Sequence, residues 1–126
     1  MTFRKILIVA VLATAGCSSS SSPSSSSAPA ATTTPPSGTA SVSIPSGARS
    51  LTTTAFGANP LVVAVGSTVT WTNNDSIAHD SVADGGMWNS GILGPGQSFP
   101  FKFTTAGTFT YKCTIHPNMV GTVTVQ

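Results

Sequence analysis

From Ser41 to the C-terminus the chain alternates hydrophobic and polar residues with a period of two. Val42 and Ile44 alternate with Ser41 and Ser43, and Val69 and Trp71 with Thr68, Thr70 and Thr72. Phe99, Phe101 and Phe103 alternate with Ser98, Pro100 and Lys102; Phe109, Tyr111 and Cys113 with Thr108, Thr110 and Lys112; Val123 and Val125 with Thr122 and Thr124. Successive side chains of a strand point to opposite faces, so each run predicts a strand with one buried face. Turn signals separate them: Pro45-Ser46-Gly47, Asn59-Pro60, Gly66-Ser67, Asn73-Asn74-Asp75, Gly94-Pro95-Gly96 and Ala106-Gly107. Strands of about five or six residues at this spacing, without a helical stretch, predict an all-β antiparallel sandwich or barrel over residues 41–126. Pro100 cannot donate to a ladder, so its strand is expected at an edge or at a bulge.

The pattern is different upstream. Arg4 and Lys5 precede an apolar run, Ile6–Ala15, followed by Gly16 and Cys17. A run of about ten residues is half of what a bilayer span needs and fits the hydrophobic core of an export signal. The junction Ala13-Thr14-Ala15-Gly16-Cys17 resembles a bacterial lipobox, which implies lipidation of Cys17 after cleavage; ordinary cleavage nearby is the alternative. Residues 18–40 are almost entirely Ser, Thr, Ala and Pro. Such a segment cannot bury enough apolar surface to offset its ordering entropy, and is expected to be a disordered tether reaching on the order of 25 Å. The expected organisation is a signal peptide over 1–17, a tether over 18–40 and one domain over 41–126. The expected location is the periplasm or cell surface, with a lipid on Cys17 as the only membrane contact.

Composition narrows the function. Five Lys/Arg and three Asp are the only charged residues, and Arg4 and Lys5 belong to the leader. Arg49, Lys102 and Lys112 then balance Asp75, Asp80 and Asp84. No basic stripe exists for a nucleic acid to bind, and few groups are available for acid–base catalysis.

The chemistry gathers in the last third, Tyr111-Lys112-Cys113-Thr114-Ile115-His116-Pro117-Asn118-Met119. Alternation turns Cys113 towards the core where its strand meets a loop, and His116 and Met119 follow in that loop. The only other histidine, His79, lies 34 residues before Cys113, just after the Asn73–Asp75 turn. One thiolate, two imidazoles and a thioether form the ligand set of a type 1 (blue) copper site. Thiolate and thioether favour Cu(I), imidazole accepts both oxidation states, and a weak axial Met leaves a geometry between the two preferences.

Residues Val42–Gln126 resemble the cupredoxins, the small blue copper proteins of the plastocyanin and amicyanin family. The short Cys113-x-x-His116-x-x-Met119 loop is similar to that of the amicyanin-like members. Val69–Asp75 followed by His79, and the closing run Pro117–Val125, match the family's first-histidine approach and last strand. The resemblance implies a Greek-key β-sandwich of about eight strands, one copper ion and single-electron transfer. It makes His79, Cys113 and His116 the equatorial ligands and Met119 the axial one. Two positions depart from the family. Ala78 replaces a frequent proline. Asp80 replaces an Asn or Thr that braces the cysteine loop; a carboxylate there can still accept from Thr114, and adds negative charge near the metal.

Simpler readings exist for each residue. Cys113 as a buried free thiol, a Cys17–Cys113 disulfide and a zinc site all compete with copper. Structural zinc sites usually supply two or more Cys, and zinc leaves Met119 without a role. Met87 reads as a surface or rim residue, Trp71 and the three Phe as core, and Asp75 and Asp84 as turn formers; Trp88 is ambiguous, since its flanks Gly86, Asn89 and Gly91 suggest a loop near the metal end. The expected function is a tethered electron shuttle between redox proteins of the cell envelope. Its expected exit is His116, within an uncharged face of Ala78, Met87, Ile92, Leu93, Gly94, Pro95, Ile115 and Pro117. The domain is expected to be monomeric. Copper delivery without electron transfer is the alternative, and a sandwich that has kept only the fold is a third. Copper-enzyme chemistry needs further metal sites, and no histidine is left to build one.

Overall fold

The computed structural model describes residues 36–126. The expected signal peptide, Cys17 and most of the expected tether lie outside the described residues. Seven strands are present among them: β1 (Thr39–Ile44), β2 (Leu61–Val63), β3 (Thr68–Asn73), β4 (Val82–Ala83), β5 (Ser98–Lys102), β6 (Gly107–Lys112) and β7 (Val120–Val125). One 3-10 turn, Ala48–Ser50, follows β1. β1 begins two residues inside the stretch expected to be tether. All five alternating runs are strands, and β2 and β4 are additional short ones.

The strands form two sheets, ordered β1-β3-β5 and β2-β7-β6-β4. The count is one short of the eight that the resemblance implied. The connection from β4 to β5 pairs with the rest of the domain only through single bridges, Leu93 to His79 and Asn89 to Val82. The pairing is also mixed rather than purely antiparallel: β1 runs parallel to β3, and β2 parallel to β7. β5 is an edge strand, so Pro100 costs no interior ladder bond.

The inner faces bury Val42, Ile44, Val69, Trp71, Phe103, Tyr111, Val123 and Val125, together with Phe56 from the β1–β2 connection. Phe99 and Phe101, expected in the core, are only half-buried, because β5 has a neighbour on one side alone. Trp88 does lie in a connection outside the strands, but its side chain belongs to the core. It is 3% exposed, and its ring centroid lies 5.3 Å from Trp71, 5.3 Å from Phe103 and 5.6 Å from Tyr111. Its indole N–H donates to Ser81 Oγ at 3.0 Å, so the polar edge of a buried indole is satisfied.

The direction of the strands fixes where the chemistry lies. β3 and β6 both run towards one end of the sandwich, where the Asn73–Asp75 turn leads to His79 and β6 runs into Cys113. At the other end, Ser37 Oγ donates to Val65 O at 2.7 Å and the Val65 N–H donates to Gln126 O at 3.1 Å. The chain therefore enters and ends at the pole opposite His79 and Cys113.

Candidate metal centre

β6 keeps Tyr111 and Cys113 inward and Lys112 outward, as the alternation predicted. Beyond Cys113 the loop closes on itself. The Met119 N–H donates to His116 O at 2.9 Å, and the Cys113 N–H to Met119 O at 3.0 Å. This turn returns the chain directly into β7 and holds Cys113, His116 and Met119 at one end of the sandwich. Cys113 and Met119 are fully buried, whereas His116 is half-buried.

His79 comes from the other sheet's side, and its backbone is fixed against Leu93. It exchanges two hydrogen bonds with Leu93, His79 N to Leu93 O at 3.1 Å and Leu93 N to His79 O at 2.7 Å. Asn73 braces both segments: its side-chain N–H groups donate to Ile77 O and Leu93 O, each at 2.8 Å. Asn73 Oδ1 accepts from the Asp75 N–H at 2.9 Å. Asn73 is fully buried, so an apolar replacement would leave these backbone groups unpaired.

The imidazole of His79 is held at its far nitrogen. Asp75 Oδ2 lies 3.0 Å from His79 Nε2 in a buried pair, and Asp75 Oδ1 accepts from the Ser76 N–H at 2.7 Å. The hydrogen bond from His79, reinforced by the Gly47 and Ser76 N–H groups, lowers the Asp75 carboxyl to about 2 against the opposing effect of burial. With the proton on Nε2, the lone pair on Nδ1 faces the cluster. Asp75 is thus more than the turn former expected from its sequence.

Three donor atoms converge there. Cys113 Sγ is 3.9 Å from His79 Nδ1 and 3.7 Å from His116 Nδ1, and the two Nδ1 atoms are 3.2 Å apart. A point about 2.1 Å from all three exists at the centre of that triangle, matching the roughly 2.0–2.3 Å of metal bonds to imidazole nitrogen and thiolate sulfur. Lone pairs this close repel one another unless a proton or a metal cation lies among them, and a metal ion can satisfy all three at once. The residues present therefore fit a metal ion.

The second carboxylate braces the cysteine. Asp80 is buried, its Oδ1 accepts the Thr114 N–H at 2.5 Å, and its Oδ2 accepts the Thr114 hydroxyl. Burial pushes the Cys113 thiol up, while backbone N–H groups of Asp80, His116 and Ile115 oppose that by favouring the thiolate.

A family model described as copper binding proteins, plastocyanin/azurin family, matches residues 45–126. The chain belongs to this family. The cupredoxin is 37% identical over 84 residues to a plastocyanin of Scenedesmus fuscus, covering 56% of this chain and 86% of that protein. It is 39% identical over 71 residues to an amicyanin of Paracoccus denitrificans, covering 52% of this chain and only 54% of the amicyanin. Among solved structures it is similar to a purple cupredoxin from Nitrosopumilus maritimus. That match has a TM-score of 0.63 at 37% identity, and spans 69% of this chain and 99% of the other. His79, Cys113, His116 and Met119 are arranged as in a type 1 copper site. The structure brings together the donor atoms of three of the expected ligands, His79, Cys113 and His116, buries Met119 in the same closing loop, and gives Asp80 the expected contact with Thr114. The roles of Asp75 and Asn73 have only a turn signal in the sequence.

The expected docking face needs one correction. Leu93 is buried at 4%, because its two hydrogen bonds with His79 turn it inward. Met87, Ile92 and Ile115 are exposed at 42%, 62% and 42%.

Proposed function

We propose that this cupredoxin is a one-electron carrier of the cell envelope, in which His79, Cys113 and His116 hold a single copper ion and Met119 is its weak fourth ligand. The observation that carries this reading is the triangle of one sulfur and two nitrogen donors, with a single buried Cys and a buried Met in the same closing loop. Zinc accounts for the triangle but leaves Met119 unused. Bound copper supplies a one-electron couple. The chain's contribution is to hold the donors in place in both oxidation states, so that little rearrangement accompanies the change. The Asn73, Asp75 and Asp80 contacts perform that holding.

Cys113 and His79 are closed off from solvent, and half-buried His116 is the ligand through which electrons reach a partner. Around it, exposed Ile115 and Pro117 present an uncharged surface suited to brief contact with a redox protein. The contact of Ser37 at the opposite pole supports tethering through the segment that precedes β1 and a lipid on Cys17.

The test is to add Cu(II) to the purified chain. An intense thiolate-to-copper absorption at one copper per chain, cycling reversibly with one electron, is expected. Cys113→Ser abolishes the colour. A colourless protein overturns the copper reading, and rapid loss of copper to a chelating acceptor on reduction favours copper delivery over electron transfer.

A further inference from the structure

Two of the domain's three carboxylates, Asp75 and Asp80, are buried at the metal cluster. The third, Asp84, is at the surface with Lys112 Nζ 3.0 Å away. Neither buried carboxylate has a Lys or Arg partner among the described residues. Arg49 lines the polar pocket of about 230 Å³ outside Asp75 without forming an ion pair there. Each carboxylate is aimed instead at the scaffold of one donor. Asp75 accepts from the imidazole of His79. Asp80 accepts twice from Thr114, the residue after Cys113.

We infer that Asp75 and Asp80 are positioning residues whose fixed negative charge biases this centre towards oxidised copper. The inference rests on the copper reading above. The thiolate and two carboxylates carry three negative charges. The centre is therefore at −1 with Cu(II) and at −2 with Cu(I), so reduction places an electron where the charge is already negative. Screening is weak for buried groups, so the opposition is felt by the metal. The hydrogen bond from His79 Nε2–H to Asp75 adds to it by making the imidazole a stronger donor. A partner that reduces this protein must accordingly be a comparatively strong reductant, and the reduced protein passes its electron on readily.

The competing explanation is that Asp80 only ties down the cysteine loop. Asp80→Asn separates the two. The amide oxygen can still accept the Thr114 N–H, and the amide N–H can donate to the Thr114 hydroxyl, which both donates and accepts. Shape and contacts survive while the charge goes. Thr114→Val does the reverse, breaking the hydroxyl contact and leaving the charge.

In the full chain loaded with copper, D80N is expected to lower the ratio of Cu(II) to Cu(I) affinity at least tenfold, a rise of about 59 mV for one electron. T114V is expected to change that ratio less than threefold, and both variants keep the absorption band. Asp75→Asn, read in the same way, is expected to raise the potential too, and it serves alone should D80N not fold. A coloured D80N or D75N whose potential is unchanged or lower overturns the inference. If wild-type protein takes up no copper as a coloured thiolate complex, the copper reading itself has failed, an outcome distinct from an unshifted variant.

Discussion

Asp75 Oδ2 holds His79 Nε2 at 3.0 Å inside the protein, four residues back along a chain that is not helical there. The consequence is chemical as much as structural. Of the two imidazole nitrogens, the one facing Cys113 and His116 is the one left with a free lone pair. Partners of this kind, placed behind a metal-binding histidine, typically contribute 10–100-fold in affinity. Asp75→Ala is therefore expected to weaken copper binding by about that factor. A competition titration against a chelator measures it, and an unchanged affinity would show that packing alone orients His79.

Met119 is the donor whose loss the centre should survive. It lies in the loop closed by the Cys113 N–H to Met119 O bond, a main-chain contact that does not depend on the side chain. Met119→Leu conserves volume in a fully buried position, where swaps of this kind usually cost less than about 1.5 kcal/mol. The axial ligand of such sites tunes the potential rather than holding the metal. The variant should stay coloured with a raised potential by voltammetry. Loss of copper on this substitution would instead make Met119 a full ligand.

These residues differ in how plainly the sequence announces them. Cys113, His116 and Met119 are legible because strand alternation aims Cys113 inward and seven residues carry the whole set. The five long strands are legible for the same periodic reason. Asp75 is not, because an Asp after Asn73-Asn74 has the signature of a turn former, and no period links positions 75 and 79 outside a helix. Trp88 sits among Gly86, Asn89 and Gly91, and its burial comes from stacking on Trp71, some 17 residues away. Val82–Ala83 is too short to alternate. The parallel pairing of Thr39–Ile44 with Thr68–Asn73 is set across a long connection that carries no local signal.

Charge decides how the domain meets its partner. Asp75 and Asp80 are buried and Asp84 is paired with Lys112, which leaves Arg49 and Lys102 as the surface charges without an ion pair among the described residues. Exposed Met87, Ile92 and Ile115 carry none. Electrostatic steering raises association rates by about 10–1000-fold where it operates, and falls steeply with salt. Here the association rate with a redox partner is expected to change less than about threefold between low salt and 0.3 M, within the range expected without steering. Stopped-flow kinetics across that range test it, and a steep salt dependence would place charged contacts in the complex.

Tyr111 offers a test of the core that needs no metal. Its hydroxyl and the Trp71 indole N–H are both buried without a hydrogen-bond partner, and the two rings meet edge-on at 5.6 Å. Burial pushes the phenol up to about 12, with a smaller opposing effect from Trp71. A folded-state value above the unfolded one near 10 contributes stability that is complete below pH 10. That contribution is lost as pH rises towards 12, by roughly 2–3 kcal/mol at about 1.4 kcal/mol per unit. Tyr111→Phe should flatten the alkaline limb of the pH–stability curve. It should cost little at pH 7, since the hydroxyl it removes is unpaired. The ring itself is indispensable in a different way, because it lies across Gly121 on the neighbouring strand, where an added Cβ would fall on Tyr111 Cζ and the hydroxyl oxygen. Gly121→Ala must displace a fully buried ring in a packed core, an overpacking cost of about 1–3 kcal/mol. The double variant Tyr111→Leu, Gly121→Ala should therefore be more stable than the sum of the two single changes predicts. Additive effects in a denaturation cycle would show that the Tyr111–Gly121 contact does not restrict that position.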